Sequence, residues 1–204
     1  MPSELRTTIL NVAADALLES GSKGLTVRHL ANEAETTTQA IYTLFGGKQG
    51  IVEALYEEGW QRLSNDLETI ERDADPLEYL ISIGLCYSHF AYENATFYQL
   101  IVGRSIGEFK VPNQKIKYVG PWQRFTSGAI IRAIDEGMLS GSIEEIGQLL
   151  WAICHGVIDL RLNGFLETGN QDDLLKKAAL GIFNAYAGPA FSAAKLKTRP
   201  RTSE

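Results

Sequence analysis

Imidazoles and thiols are the first side chains to weigh, since they carry much of proton transfer, nucleophilic attack and metal ligation. This sequence offers His29, His89 and His155, with Cys86 and Cys154. None of them stands at a metal-ligand spacing, and no phosphate loop, nucleophile elbow or dinucleotide fingerprint accompanies them. The cysteines are too few and too far apart for a disulfide framework or a zinc site. The expectation is a protein that is not an enzyme and uses no cofactor or metal. A second chemistry is more concentrated. Thr26, Arg28, Thr36, Thr37, Thr38, Gln39, Tyr42, Thr43 and Lys48 gather hydroxyls, a carboxamide, a guanidinium and an ammonium in one short stretch. Hydroxyls and cations bind phosphate oxygens, which fixes register on a duplex. A Gln amide matches an adenine edge in two bonds, and Thr and Ala methyls fit a thymine methyl.

Those groups need two short helices at a fixed angle. Leu5, Ile9, Val12, Ala13, Ala16 and Leu17 repeat at helical spacing up to the break Ser20-Gly21-Ser22-Lys23-Gly24. Thr26 has the type and place of an N-cap for a helix ending near Ala34. Thr36-Thr37-Thr38-Gln39 fits a capping box, opening a helix to about Leu44 that Gly46-Gly47 stops. Two short helices joined by about three residues have the spacing of a helix-turn-helix. Its second helix enters the major groove with N-terminal residues against the bases. Here these are Thr37, Thr38, Gln39 and Ala40, then Tyr42 and Thr43. Thr26, Thr36, Thr37 and Tyr42 suit phosphates, and Arg28 suits a guanine or a phosphate. Lys48 opens a long helix, where a cation opposes the helix dipole at a cost of about a few tenths of a kcal/mol. A phosphate docked beside Gly47, whose amide is open to close approach, makes sense of it.

From Lys48 to about residue 72 one stripe carries Ile51, Val52, Leu55, Tyr56, Trp60, Leu63, Leu67 and Ile70. Helices are expected next at about 77–93 and 95–102, then a Gly- and Pro-containing connection from Gly103 to Gly120. Three more are expected at 121–138, 143–168 and 171–188. No β pattern or internal repeat appears. The fold class is all-α, with about nine helices.

Leu25-Thr26-Val27-Arg28-His29-Leu30-Ala31, then Ala34, then Ala40-Ile41-Tyr42-Thr43-Leu44-Phe45-Gly46-Gly47-Lys48 carry a resemblance. Together with the helix lengths, they resemble the DNA-binding domain of the TetR family of bacterial transcriptional regulators, from residue 1 to about 50. By position, the resemblance implies that Thr26, Arg28, Thr37, Thr38, Gln39, Tyr42, Thr43 and Lys48 contact DNA. It also implies that the remaining helices form a ligand-binding and dimerisation domain. Trp151 with His155-Gly156 is similar to a Trp/His-Gly pattern in one subgroup's C-terminal domain. Three positions depart from the family pattern. Glu35 stands where Gly is usual, and a left-handed backbone there costs roughly 1–2 kcal/mol. Gln39 replaces a frequent Gly, and Leu44 a frequent aromatic or His, so the operator does not follow from relatives. The expected layout is a helix-turn-helix domain at 1–48, a linking helix at 48–72 and a ligand-binding and dimerisation domain at 73–190. A disordered, basic tail follows at 191–204.

For a ligand pocket the expected residues are Tyr87, Phe90, Phe97, Trp122, Phe125, Trp151 and His155, facing an apolar or aromatic small-molecule effector. Single aromatics at helical spacing are more often core, so the family resemblance carries this reading. The helix at 143–168 has Ile146, Leu150, Ile153, Val157 and Leu160 on one face and Trp151, Ile158, Leu162 and Phe165 on another, which marks a central helix. Ala178, Gly181, Ala185 and Gly188 form a small-residue stripe on the last helix. With the 143–168 helix, it is expected to build a four-helix homodimer interface.

A net charge of −6 excludes a general nucleic-acid coat, though not a protein that meets DNA through one small surface. No apolar run is long enough to span a membrane, and the N-terminus lacks a signal pattern, so the expected location is cytoplasmic. The function expected is a sequence-specific regulator of double-stranded DNA. It is read as a repressor released from a palindromic operator by a small molecule. Two rivals stay open: a helical ligand-binding protein that has lost DNA binding, and a small-molecule enzyme using the histidines.

Overall fold

Apolar residues three and four positions apart give each helix one stripe to bury, and the helices pack along those stripes. The computed structural model describes residues 2–72, 75–102, 115–167 and 169–191, without the side chains of 2, 3 and 115–122. Among the described residues there are nine α-helices: α1 (Pro2–Ser20), α2 (Val27–Glu33), α3 (Thr38–Phe45), α4 (Lys48–Glu68), α5 (Pro76–Glu93), α6 (Ala95–Ile101), α7 (Lys115–Asp135), α8 (Ile143–Leu162) and α9 (Gln171–Ala185). A single 3-10 turn, Gly21–Lys23, follows α1. The chain divides into two compact units, Met1–Leu63 with Glu93–Tyr118, and Ser64–Tyr92 with Val119–Glu204.

In the first unit Ile9, Leu10 and Ala13 of α1, Leu30 of α2, Ile41 of α3 and Ile51, Val52 and Leu55 of α4 are fully buried. Their burial is what holds helices as short as α2 and α3, which would be marginal alone in water. Thr96 of α6 donates its hydroxyl to the Ala14 carbonyl at 3.3 Å.

In the second unit α5 starts at Pro76, which needs no amide partner there, and the Asp75 carboxylate accepts from the Leu77 and Glu78 amides at 2.9 and 3.3 Å. Ser142 caps α8, accepting from the Glu145 amide. The Glu144 carboxyl is held below its usual value by hydrogen bonds from the backbone and from Ser142. Ile83, Phe90, Ile130, Ala133, Ile146, Ile158 and Phe183 form the fully buried centre. Beyond α9 the chain runs beside 137–140, with Gly188 and Ala190 amides donating to the Met138 and Gly137 carbonyls at 2.9 and 2.8 Å.

Several boundaries differ from expectation, α7 and α9 each ending three residues early, at Asp135 and Ala185. The long helix α4 ends at Glu68, and α7 begins at Lys115, inside the expected connection. Helix α8 stops at Leu162 because Gly164 turns the chain left-handed at φ 77°, and the Phe165 amide folds back onto the Leu160 carbonyl at 2.8 Å. Residues 103–114 and the basic tail from 192 lie outside the described residues.

Candidate nucleic-acid interface

Both short helices of the first unit begin on a threonine cap. Thr26 Oγ1 accepts from the His29 amide at 3.2 Å, and Thr37 Oγ1 accepts from the Ala40 amide at 3.1 Å. Each hydroxyl then keeps its own proton to donate outward. The capping box expected from Thr36 to Gln39 does not form. Thr36 belongs to the turn, its amide bonded to the Ala31 carbonyl at 2.8 Å, so the cap falls one residue later and Ala40 takes the third helical position. Gln39 is therefore not drawn back into a cap.

Helix α3 buries Ile41 and Phe45 and exposes Thr38, Gln39, Tyr42 and Thr43, which share the opposite face at steps of one, three and four. Thr43 donates its hydroxyl to the Gln39 carbonyl at 2.9 Å. Tyr42 is 53% exposed, a large phenol left in water. Arg28 and His29 are exposed at the start of α2. Glu35 has φ 48°, the only positive value at a non-glycine residue among those described. The turn thus demands the left-handed backbone in which a side chain is strained.

Gly46 ends α3 in that same conformation, at φ 71°. A β-carbon on Gly50 would sit 1.8 Å from the Phe45 carbonyl oxygen, so only glycine lets α4 start this close to α3. That contact holds Lys48, half-buried at the first position of α4, just beyond the C-terminus of α3. In the sequence Gly50 shows only as a glycine in the first turn of a long helix. Arg6 is paired with Glu58 at 3.9 Å and lies over the Phe45 ring at 5.8 Å. Arg62 bonds Glu58 at 2.9 Å and Asn11 at 2.7 Å, and covers Phe97 at 4.3 Å. Arg28 and Lys48 enter no such pair among the described residues.

The expected pocket residues fall in both units. Tyr87, His155 and Trp151 come together in the second unit, with Tyr87 Oη 3.4 Å from His155 Nε2 and the two rings flanking the imidazole at centroid distances of 5.5 and 5.4 Å. Phe90 is buried on the same helix as Tyr87. Phe97 belongs to the first unit, beneath Arg62. Phe125 is buried under Arg72 and Arg124. The Trp122 side chain lies outside the described residues. Burial pushes the His155 pKa down to about 4 and the Cys154 thiol up to about 12, so near neutral pH both are uncharged. Among the described residues no group of three His, Cys, Asp or Glu could hold a metal, and no helix is long and apolar enough to cross a membrane.

Of the residues expected at a dimer interface, Gly181 and Ala185 are exposed on α9 and Ala178 is half-buried. Gly188 lies beyond the helix, where a β-carbon would meet the Gly137 carbonyl oxygen at 2.3 Å, so its own chain accounts for it. Leu160, expected on a buried face of α8, is 45% exposed. With Leu149, Ala152 and Gly156 it forms an exposed stripe at steps of three and four that the sequence reading did not separate from the core.

Residues 9–55 match the model of the family described as bacterial regulatory proteins, tetR family. No curated protein matches the sequence. Among solved structures, the chain is similar to a protein of unknown function from Rhodococcus sp. RHA1, at 24% identity and a TM-score of 0.74, over 90% of this chain and 95% of that one. It is also similar to the TetR-family transcriptional regulator PfmR from Thermus thermophilus, at 19% identity and a TM-score of 0.66, over 86% and 97%. The chain thus has the all-α fold of the TetR-family regulators to which it is similar, and its N-terminal helix-turn-helix lies in the segment that matches that family's model.

Proposed function

We propose that this protein is a homodimeric, sequence-specific DNA-binding regulator, a repressor that leaves a palindromic operator when a small molecule binds its C-terminal helices. The observation that carries the reading is the outer face of α3, where Thr38, Gln39, Tyr42 and Thr43 are exposed within a segment matching the tetR-family model. Gln39 is placed to read an adenine, with the methyls of Thr38 and Thr43 against thymines. Arg28, Thr26, Thr36, Thr37, Tyr42 and Lys48 take phosphates or, for Arg28, a guanine.

The dimer reading rests on two glycines. Gly156 and Gly181 stand inside α8 and α9, where glycine costs about 1 kcal/mol relative to alanine, and a β-carbon on either would meet nothing within 4 Å among the described residues. A second subunit packed against Leu149, Ala152, Gly156 and Leu160 of α8 and Gly181 and Ala185 of α9 supplies the missing reason. Gly156 is also part of the Trp151/His155-Gly156 likeness to one subgroup. Release of DNA requires the effector to bind better to the state that holds the two recognition helices at the wrong spacing. Helix α4, through which the chain passes from one unit to the next, is the element placed to transmit that difference.

Selection from a random duplex pool by the purified protein tests the reading. An enriched near-palindrome with half-sites about one helical turn apart is expected. No enrichment at low salt from a folded dimer transfers the reading to a ligand-binding protein that does not use DNA. Tyr42→Phe combined with Lys48→Ala is expected to weaken binding to the selected site while fold and dimerisation persist. Unchanged DNA affinity in that variant would refute the contact assignment.

A further inference from the structure

Gln123 and Ser127 of α7 and Glu144, Gln148 and Trp151 of α8 line one concavity of the second unit, about 320 Å³ in volume. Glu144 is the one charged side chain lining it among the described residues, and its carboxylate already accepts from the Ser142 hydroxyl at 3.0 Å. Gln123, Ser127 and Gln148 bring neutral amides and a hydroxyl, each able both to donate and to accept. The Trp151 indole packs on the His155 imidazole, with ring centroids 5.4 Å apart and planes tilted by 32°. Gly147, inside α8, lines the same space. A β-carbon there would make an ordinary contact, 3.6 Å from Ile130 Cδ1, so packing among the described residues does not demand a glycine. A glycine weakens a helix interior. What its missing side chain leaves is room.

We propose that this concavity binds an uncharged nucleobase or nucleoside. The flat ring lies on the Trp151 indole, over the space at Gly147, and the carboxamides of Gln123 and Gln148 bond its edge. A carboxamide holds donor and acceptor side by side, the arrangement that meets a base edge in two bonds. An indole stacks any base, since every base has a π-face. Ser127 and the Glu144 carboxylate remain for ribose hydroxyls, which donate to either. A hydrocarbon would leave the amides without partners, and a sugar alone has no flat edge to pair with them. With a carboxylate and no cation among the described lining residues, the site disfavours an anion. The volume lies at the small end of the range of about 300–1,000 Å³ usual for small-molecule sites, which suits one ring system rather than a long chain. As an effector site, the proposal rests on the regulatory reading above and makes the aromatic effector a polar one. As a binding site, it stands without that reading.

Isothermal titration of the full chain with adenosine, guanosine, cytidine and uridine, and with ribose and glucose, tests it. At least one nucleoside is expected to bind once per chain, about tenfold or more tightly than either sugar. Trp151→Leu removes the stacking platform and is expected to weaken that nucleoside about 5- to 150-fold, the range for losing one base–aromatic stack. Gln123→Leu combined with Gln148→Leu is expected to cost about tenfold. Gly147→Met, with every polar partner intact, fills the space and is expected to weaken the nucleoside about tenfold or more. No binding of any nucleoside overturns the proposal, as does ribose or glucose binding as tightly as the best nucleoside. Nucleoside affinity unchanged in any of the three variants, with far-ultraviolet circular dichroism confirming its fold, overturns it as well. None of these measurements uses DNA. Nucleoside binding without any selected duplex sinks the regulatory reading alone, and a selected duplex without nucleoside binding sinks the site alone.

Discussion

Glu35 carries a local conflict between side chain and backbone. At φ 48° its β-carbon crowds the backbone, a strain of roughly 1–2 kcal/mol that a glycine would not bear. Glu35→Gly relieves the strain but loosens the unfolded chain, whereas Glu35→Ala keeps the strain. The glycine variant is therefore expected to be more stable than the alanine variant by about 1 kcal/mol, read as a shift in urea midpoint at constant slope. Equal midpoints would mean that the turn relaxes around any residue. His155 carries a pH dependence instead. Burial holds its pKa at about 4, below the ordinary 6.5, so the unfolded chain takes up the extra proton between those values. Its contribution is complete above about pH 6.5, falls as pH drops, and levels off below about pH 4, by on the order of 3 kcal/mol. Protonation would also remove the Nε2 lone pair facing the Tyr87 hydroxyl at 3.4 Å. In urea titrations at several pH values, the stability gap between the protein and His155→Gln is expected to shift against the natural residue from pH 6.5 to 4. A constant gap would refute the burial effect.

At the scale of helices, one substitution should have opposite signs in two places. Gly50→Ala puts a methyl 1.8 Å from the Phe45 carbonyl oxygen, and separating α3 from α4 is expected to cost at least about 1–3 kcal/mol, the usual penalty of overpacking. Gly128→Ala adds a methyl with no neighbour within 4 Å and is expected to stabilise α7 by about 0.5–1 kcal/mol. Thermal unfolding of the two variants checks both signs. Helical spacing made the nine elements legible, because apolar stripes such as Ile51, Val52 and Leu55 coincide with buried faces. The caps were partly legible. Thr26 holds the expected place, while three consecutive threonines hid which of them closes the turn, a choice made by the amide of Thr36 bonding to Ala31. The end of α8 was written in Asn163-Gly164 and outweighed by the apolar residues beyond it. Close approaches such as Gly50 to Phe45 depend on how two helices meet, which no single stripe records. The pairing of arginines over Phe125 was invisible for the same reason: Arg72 and Arg124 lie far apart in the sequence, and only packing brings both to that ring.

For the whole molecule the governing quantity is charge. The chain carries a formal net charge of −6, so nothing about its overall field draws it to a polyanion. Residues 1–60 hold Arg6, Lys23, Arg28 and Lys48 against Glu4, Asp15, Glu19, Glu33, Glu35, Glu53, Glu57 and Glu58. Arg6 is drawn off to Glu58, which is shared with Arg62. Arg28 and Lys48, with Lys23 as a further cation, leave about two to three phosphates neutralised per subunit. Each neutralised phosphate contributes about −0.9 to the slope of log affinity against log salt. A dimer on its operator is thus expected to show a slope of roughly −4 to −5, modest for a specific regulator. The remaining phosphate contacts then come from threonine hydroxyls and helix amides, which release no counterions, and specificity has to lean on both recognition helices binding at once. Two measurements on the selected operator check this. Affinity titrated against salt should give the shallow slope, and Lys48→Ala should make it shallower by about 2 per dimer. A slope steeper than about −8 would mean that cations outside this unit reach the DNA. The basic residues Lys195, Lys197, Arg199 and Arg201 would be the first to replace, because they are the densest cluster of positive charge in the sequence.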